Sequence, residues 1–142
     1  MNDELLKLQN QLCFPLYAAS RGVVNKYKPF LDEIDLTYTQ YIVMMVMWER
    51  KKISVKDLGQ CLYLDSGTLT PVLKRLEVKG LIMRKRSPED ERQVDILITE
   101  DGELLKEKAV LIPEKMSKCI SLDMEEAKTL YKLLYKLINQ VE

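Results

Sequence analysis

The stretch Asp65-Ser66-Gly67-Thr68-Leu69-Thr70-Pro71-Val72-Leu73-Lys74-Arg75-Leu76-Glu77-Val78-Lys79-Gly80 reads as one capped helix with a hydroxyl-bearing front and a basic rear. The side-chain oxygens of Asp65 and Ser66 can take amides that a first turn leaves unpaired, and Gly80 can adopt the left-handed conformation that ends a helix. Leu69, Val72, Leu73 and Leu76 recur at helical spacing, which puts Lys79 and the other polar residues on different faces. Short hydroxyls suit base edges and phosphates, and Lys and Arg neutralise the DNA backbone. Ser66, Thr68, Thr70, Lys74 and Arg75 are therefore candidate DNA contacts. Pro71 removes one amide from the ladder and predicts a kink or a late helix start. Taken alone, the pattern also fits an ordinary amphipathic surface helix.

The flanking residues favour DNA. Ser54-Val55-Lys56-Asp57 reads as a capping box opening a short helix that ends near Leu62, three residues before Asp65. Two helices joined by a tight turn, the second polar and basic, form a helix-turn-helix. After Gly80, residues 81–86 and 93–98 read as two strands around the polar loop 87–92. Arg84, Lys85, Arg86 and Arg92 flank that loop, so the hairpin reads as a basic wing. The expected fold is mainly α with a small β-hairpin, a single winged helix-turn-helix domain.

Composition narrows the function. Lys plus Arg and Asp plus Glu are both 22, so net charge announces no nucleic acid. Its distribution does: residues 71–86 hold Lys74, Arg75, Lys79, Arg84, Lys85 and Arg86 against Glu77 alone, and a neutral chain can carry a basic face. The absence of histidine removes Ser-His and Cys-His pairs and histidine-ligated metals. Cys13, Cys61 and Cys119 are an odd, widely spaced set that fits neither a disulfide scaffold nor a zinc ribbon. No metal or cofactor is expected. The start lacks a signal peptide's basic head and apolar run, and no segment is long and apolar enough for a bilayer, so the expected location is cytosolic, with no membrane partner.

Towards the amino terminus, apolar residues recur helically from Asp3 to about Lys28, with Pro15 as a kink or the first turn of a second piece. Pro29 to Leu36 reads as a connection. Thr37 with Gln40 resembles a capping box for an apolar helix through Trp48. Thr99 can cap a helix from Glu100 towards Cys119, bent or interrupted at Pro113. Asp123 with Glu126 opens a last helix whose stripe of Ala127, Leu130, Leu134, Leu137 and Val141 needs a partner. A homodimer is expected, with residues 1–36 and 100–142 as dimerisation helices around a DNA-binding part at 37–99.

The residues from Leu64 to Glu77, then Arg84-Lys85-Arg86-Ser87, Asp90-Glu91-Arg92 and Leu97-Ile98-Thr99-Glu100-Asp101-Gly102, resemble the MarR family of dimeric bacterial repressors. Within it, Gln11-Leu12-Cys13-Phe14-Pro15-Leu16-Tyr17-Ala18-Ala19-Ser20, Tyr27-Lys28-Pro29 and Leu36-Thr37-Tyr38-Thr39-Gln40-Tyr41 are similar to the organic hydroperoxide resistance regulators. The resemblance implies a repressor of double-stranded DNA with an inverted-repeat operator, released when an amino-terminal cysteine is oxidised by organic hydroperoxide. Cys13 matches that cysteine. Tyr27 and Tyr38 match tyrosines that hydrogen-bond its sulfur from the other subunit, and Tyr17 matches a further tyrosine near the pocket. Asp90 and Arg92 fall in the wing, and Cys119 falls where some members carry a second cysteine that resolves the oxidised one as an intersubunit disulfide. The alternative is that Cys119 is core filler and a small thiol caps Cys13. Cys61 reads as packing, and Pro15 is a departure that shifts the turn presenting Cys13.

Two other functions stay open on the sequence. A core role for Cys13 would leave a winged-helix repressor opened by a small aromatic or amphipathic ligand. A thiol peroxidase using Cys13 and Cys119 would leave the basic helix-turn-helix and wing without a role.

Overall fold

Thr37 and Gln40 close a reciprocal cap at the start of α2 (Tyr38–Arg50) in the computed structural model, which describes residues 2–141. Thr37 Oγ1 accepts the Gln40 N–H at 3.2 Å, and Gln40 Oε1 accepts the Thr37 N–H at 3.1 Å. The helix then buries Val43, Met44 and Met47 completely, with Tyr41 and Trp48 close behind, and so forms the centre of the core. Around it pack Leu58, Leu69, Leu73 and Leu76 from the helix-turn-helix and Ile53, Ile82 and Ile96 from the sheet.

The decisive stretch folds as α4 (Ser66–Val78), preceded by α3 (Val55–Leu62). Ser54 Oγ caps α3 by accepting the Asp57 N–H at 3.1 Å, and Tyr63 ends it in the left-handed region at φ +55°. Asp65 Oδ1 caps α4 by accepting the Thr68 N–H at 2.7 Å. The helix starts at Ser66 and runs through Pro71, so no late start occurs: the proline sits inside, and the buried Leu69, Leu73 and Leu76 hold both sides of it. Gly80 ends the element at φ +77°.

Strands β2 (Ile82–Arg86) and β3 (Val94–Ile98) form the hairpin, with Ile82 opposite Ile98 and Arg84 opposite Ile96. A third strand, β1 (Lys52–Ser54), pairs with the other edge of β3, giving the order β1-β3-β2. The two-stranded reading is corrected here. Three residues between two helices are too short to show an alternation of their own.

Both ends differ in detail from the sequence reading. Before α1 (Cys13–Asp32) the chain makes two 3-10 turns, Asp3–Leu6 and Leu8–Asn10, in place of a helix from Asp3. Side chains there capture backbone carbonyls: Asn10 Nδ2 donates to Glu4 O at 2.7 Å, and Gln11 Nε2 donates to Leu5 O at 2.8 Å and Lys7 O at 2.9 Å. Pro15 takes the first turn of α1, where a missing N–H costs nothing. Pro29 does not begin a connection, because the helix continues to Asp32 with Leu31 anchored in the core at 2% exposure. Thr99 caps α5 (Glu100–Ala109), and the interruption expected at Pro113 appears as a break before α6 (Ile112–Ser117), whose first turn holds that proline. Asp123 and Glu126 cap α7 (Met124–Val141) reciprocally, at 2.8 and 3.1 Å.

No helix among the described residues is long and apolar enough to cross a membrane.

Candidate nucleic-acid interface and thiol site

Because Leu69, Leu73 and Leu76 are pinned in the core, the opposite side of α4 is fixed outward. Ser66, Thr68, Thr70, Lys74 and Arg75 are all exposed there. The Thr70 hydroxyl donates to Ser66 O at 2.7 Å, so it already has a backbone partner. The Thr68 N–H holds the Asp65 carboxyl below the usual range, keeping the cap ionised. In the wing, Asp90 works as a turn residue: its Oδ1 accepts the Arg92 N–H at 3.0 Å and its carbonyl accepts the Gln93 N–H at 3.0 Å. Arg86 Nη1 donates to Glu91 O at 2.9 Å across the same loop. Lys74, Arg75, Lys85 and Arg92 form no ion pair among the described residues, leaving their charges open to an anionic partner. Arg84 differs from them, since Glu77 engages its guanidinium at 3.1 Å and half-buries it against α4.

Cys13 is exposed at the first residue of α1. Tyr17 lies one turn further on, with its hydroxyl 3.4 Å from Arg21 Nη1 and its ring 5.4 Å from the Arg21 guanidinium carbon. Tyr27 and Tyr38 come together with ring centroids 4.9 Å apart, but not beside Cys13 of their own chain. Fourteen residues of helix separate Cys13 from Tyr27, roughly 21 Å at 1.5 Å per residue. Burial pushes the Tyr27 and Tyr38 hydroxyls above the ordinary tyrosine value, so both remain protonated donors at neutral pH.

Tyr41 completes this cluster, at 5.9 Å from Tyr27 and 6.3 Å from Tyr38, and stands edge-on to Trp48 at 6.4 Å. Sequence reasoning passed over it as one more apolar position of α2. Its spacing of three residues from Tyr38 was the available signal.

Cys119 follows α6, its Sγ 3.5 Å from Lys115 O, and is exposed where a core role had been the alternative. Cys61 is exposed as well, which corrects its reading as packing: only Leu58 and Gly59 of α3 are buried. Lys115 reaches Glu33 at 3.3 Å and lies over the Phe30 ring at 5.7 Å, so α6 meets the far end of α1 from Cys13. Seventeen residues of helix from Cys13 to Phe30 are roughly 26 Å. A disulfide needs Cα atoms within about 7 Å, so Cys13 and Cys119 of one chain cannot pair.

Much apolar surface is left open around these thiols. Of α1 only Leu31 is buried, while Phe14, Leu16, Tyr17 and Val23 are exposed. None of the described residues of α7 is buried, although it carries Leu130, Leu133, Tyr135 and Leu137. The end of α7 also closes one side of a groove against α3, α4 and the wing, lined by Tyr63, Leu69, Leu73, Arg92, Ile138 and Val141.

Comparison with known proteins places this arrangement. Residues 25–109 match the family model described as transcriptional regulator SarA/Rot. The organic hydroperoxide resistance transcriptional regulator of Bacillus subtilis (strain 168) is 54% identical over 134 residues, covering 94% of this chain and 91% of the relative. Among solved structures, reduced AbfR bound to DNA superposes with a TM-score of 0.79 at 36% identity, covering 100% of both chains. Overoxidized AbfR bound to DNA gives 0.79 at 34% identity over 100% of both chains. Disulfide-formed AbfR gives 0.65 at 35%, covering 99% of this chain and 96% of that one. AbfR is a protein of Staphylococcus epidermidis. A mutant MarR from E. coli gives 0.69 at 25% identity, covering 90% of this chain and 96% of that one.

Proposed function

Since the chain belongs to the MarR family of transcriptional regulators, with the organic hydroperoxide resistance proteins, we propose that it is a redox-sensing repressor released from DNA by oxidation of Cys13. Members of this family are regulators and not enzymes, so the peroxidase alternative is set aside. The observation that carries the reading is an exposed Cys13 at the tip of a helix whose first turns leave Phe14, Leu16, Tyr17 and Val23 exposed.

The open faces of α1 and α7 support a homodimer built from residues 1–36 and 100–142 around the DNA-binding part at 37–99, the terminal residues 1 and 142 lying outside those described. Two α4 helices then enter successive major grooves of an inverted repeat. Ser66, Thr68 and Thr70 face base edges and phosphates, Lys74 and Arg75 the backbone, and Arg92 the flanking minor groove. Lys85 and Arg86 add phosphate contacts along the wing.

Across the two-fold, the Tyr27 and Tyr38 hydroxyls of one subunit donate to the Cys13 sulfur of the other and favour its thiolate. The thiolate attacks the outer oxygen of an organic hydroperoxide; the O–O bond breaks, and the alcohol leaves with a proton as Cys13 becomes a sulfenic acid. The Cys119 thiolate of the second subunit attacks that sulfur, and hydroxide departs, protonated to water, as the disulfide forms. That AbfR has been captured on DNA in its overoxidized state supports the disulfide, more than added oxygen alone, as the releasing event. The linkage repacks α1 against α6 and changes the spacing of the two recognition helices, which an inverted repeat does not tolerate.

The test is operator binding before and after one equivalent of organic hydroperoxide, with mass analysis of the same samples without reductant. Release together with a Cys13–Cys119 linked dimer is expected. Release with an adduct on Cys13 alone would leave a one-cysteine sensor with a small thiol as resolver.

The groove between α7 and the DNA-binding head favours one second reading, a small aromatic or amphipathic effector held near Tyr63 and Arg92. Binding indifferent to peroxide but sensitive to such a compound would select it.

A further inference from the structure

Lys79 is the basic residue of the recognition stretch whose charge turns inward. Its side chain is 28% exposed, and its ammonium meets three oxygens of the turn between α1 and α2. These are the Asp35 backbone carbonyl, the Asp35 carboxylate at 3.5 Å, and Gln40 Oε1 at 3.1 Å. A lysine ammonium has three N–H donors and no acceptor, so the set matches its capacity. Gln40 is buried, and the same oxygen closes the Thr37 cap. Asp35 stands at φ +53°, a region in which Asp is among the few side-chain-bearing residues found with any frequency, and this conformation turns its carbonyl towards α4.

That turn joins the two helices that carry the tyrosine cluster. Tyr27 is on α1, and Tyr38 follows Thr37 directly in the first turn of α2. The remaining grip on α4 comes from Leu69, Leu73 and Leu76, whose packing is apolar and non-directional. The Lys79 contacts are directional, and they fall at the helix's carboxy-terminal end. The wing follows the helix in turn, because Glu77 on α4 holds Arg84 on β2.

We propose that Lys79 is the coupling residue between thiol state and DNA grip: its ammonium ties the end of the recognition helix to the Asp35–Gln40 turn, so movement of the Tyr27–Tyr38 pair is passed to α4. This rests on the thiol-sensing reading above. Lys79 is a positioning residue in that role. When the turn shifts, the ammonium either drags the helix end with it or loses its acceptors.

The test compares wild type, Lys79→Met and Lys79→Arg in operator affinity, reduced and after stoichiometric cumene hydroperoxide, with Cys13 oxidation followed by mass in the same samples. Met keeps the aliphatic stem and removes the charge; Arg keeps the charge. The expected result is that Lys79→Met binds operator when reduced and oxidises at Cys13 like wild type, while its ratio of oxidised to reduced Kd falls by about tenfold. Lys79→Arg restores most of the ratio. An unchanged ratio in Lys79→Met overturns the proposal. If Lys79→Met does not fold, Lys79→Gln, which shortens the side chain and removes its charge, carries the test: a reduced ratio supports the link and a wild-type ratio overturns it. Wild type that stays on DNA once oxidised removes the thiol-sensing reading itself, and the coupling with it.

Discussion

Glu77 fastens the wing to the recognition helix through Arg84. Its Oε2 accepts the Arg84 backbone N–H at 3.0 Å, and its Oε1 accepts Nε at 3.2 Å and Nη2 at 3.1 Å. These bonds hold the Glu77 carboxyl below its ordinary range, the backbone N–H first among them. A depressed carboxylate contributes stability that is present above its unfolded pKa and lost as pH falls through the folded one, so the tether is whole at neutral pH and fails in acid.

Glu77→Gln should therefore loosen the wing at neutral pH. Both side chains keep contact with solvent, which limits the pair to about 1 kcal/mol of stability. Operator affinity should fall more than thermal stability does, and the variant's affinity should lose the acid-side decline tied to this group. Fluorescence anisotropy of labelled operator across pH measures it; a wild-type acid profile in the variant would put the wing's anchor elsewhere.

A second link is buried. Trp48 Nε1 donates to Gly102 O at 2.8 Å, joining the central helix to the first turn of α5. A Cβ at Gly102 would stand 2.3 Å from Leu81 O and 2.7 Å from Ile98 Cγ1, so the backbone itself must move. Gly102→Ala should cost about 3 kcal/mol, at the upper end for overpacking. Trp48→Phe should cost about 2 kcal/mol by removing that bond and leaving a cavity where the larger ring packs. Urea unfolding at fixed protein concentration reads both.

Local chemistry made the centre of this fold legible. Asp65, Ser54, Thr37, Thr99 and Asp123 each announce a helix start through a short side-chain oxygen, and each caps a helix in the structure. Gly80 marked a stop that only a left-handed residue could make. The misses share another cause. Strand β1 exists because β3 offers it an edge, and α1 passes Pro29 because Leu31 is held by the core; both are tertiary effects that a local pattern does not carry. For the site, the family resemblance pointed to Cys13, Tyr27 and Tyr38, but nothing in the sequence separates a free arginine from one tied down. Arg84 and Arg92 look alike in the chain, and only the folded hairpin turns Arg84 onto Glu77.

That difference yields a contrast within the wing. Arg92 is exposed and its backbone N–H is already held by Asp90, so its side chain can reach DNA without loosening the loop. Arg92→Ala should weaken operator binding and lower the slope of log affinity against log salt by about one, with dimerisation intact. Salt titrations by anisotropy check the slope; a wild-type slope would remove the wing from the DNA.

Helix α7 offers Leu130 at 46% and Leu137 at 40% exposure on a helix with no buried residue among those described. If this face closes the dimer, Leu130→Glu places a charge in the interface at a cost of several kcal/mol, because an unpaired charge there loses its water. The variant should run as a monomer in analytical ultracentrifugation and lose inverted-repeat binding, while the far-ultraviolet circular dichroism of the head persists. A dimer of undiminished stability would place the interface away from α7.

The two thiols separate sensing from resolution. Cys13 and the end of α1 that α6 contacts are roughly 26 Å apart along one helix, so any bond between Cys13 and Cys119 must join two chains. Cys13→Ser should bind operator and ignore peroxide, because no thiolate remains at the tip of α1. Cys119→Ser should still form the sulfenic acid, yet give no linked dimer, and should release DNA at least about tenfold less than wild type when no small thiol is present. Adding a small thiol should then restore release if a mixed disulfide at Cys13 disturbs α1 as the intersubunit bond does. Mass analysis without reductant, run beside operator binding, distinguishes these cases. Peroxide release of Cys13→Ser would move the sensor to another residue.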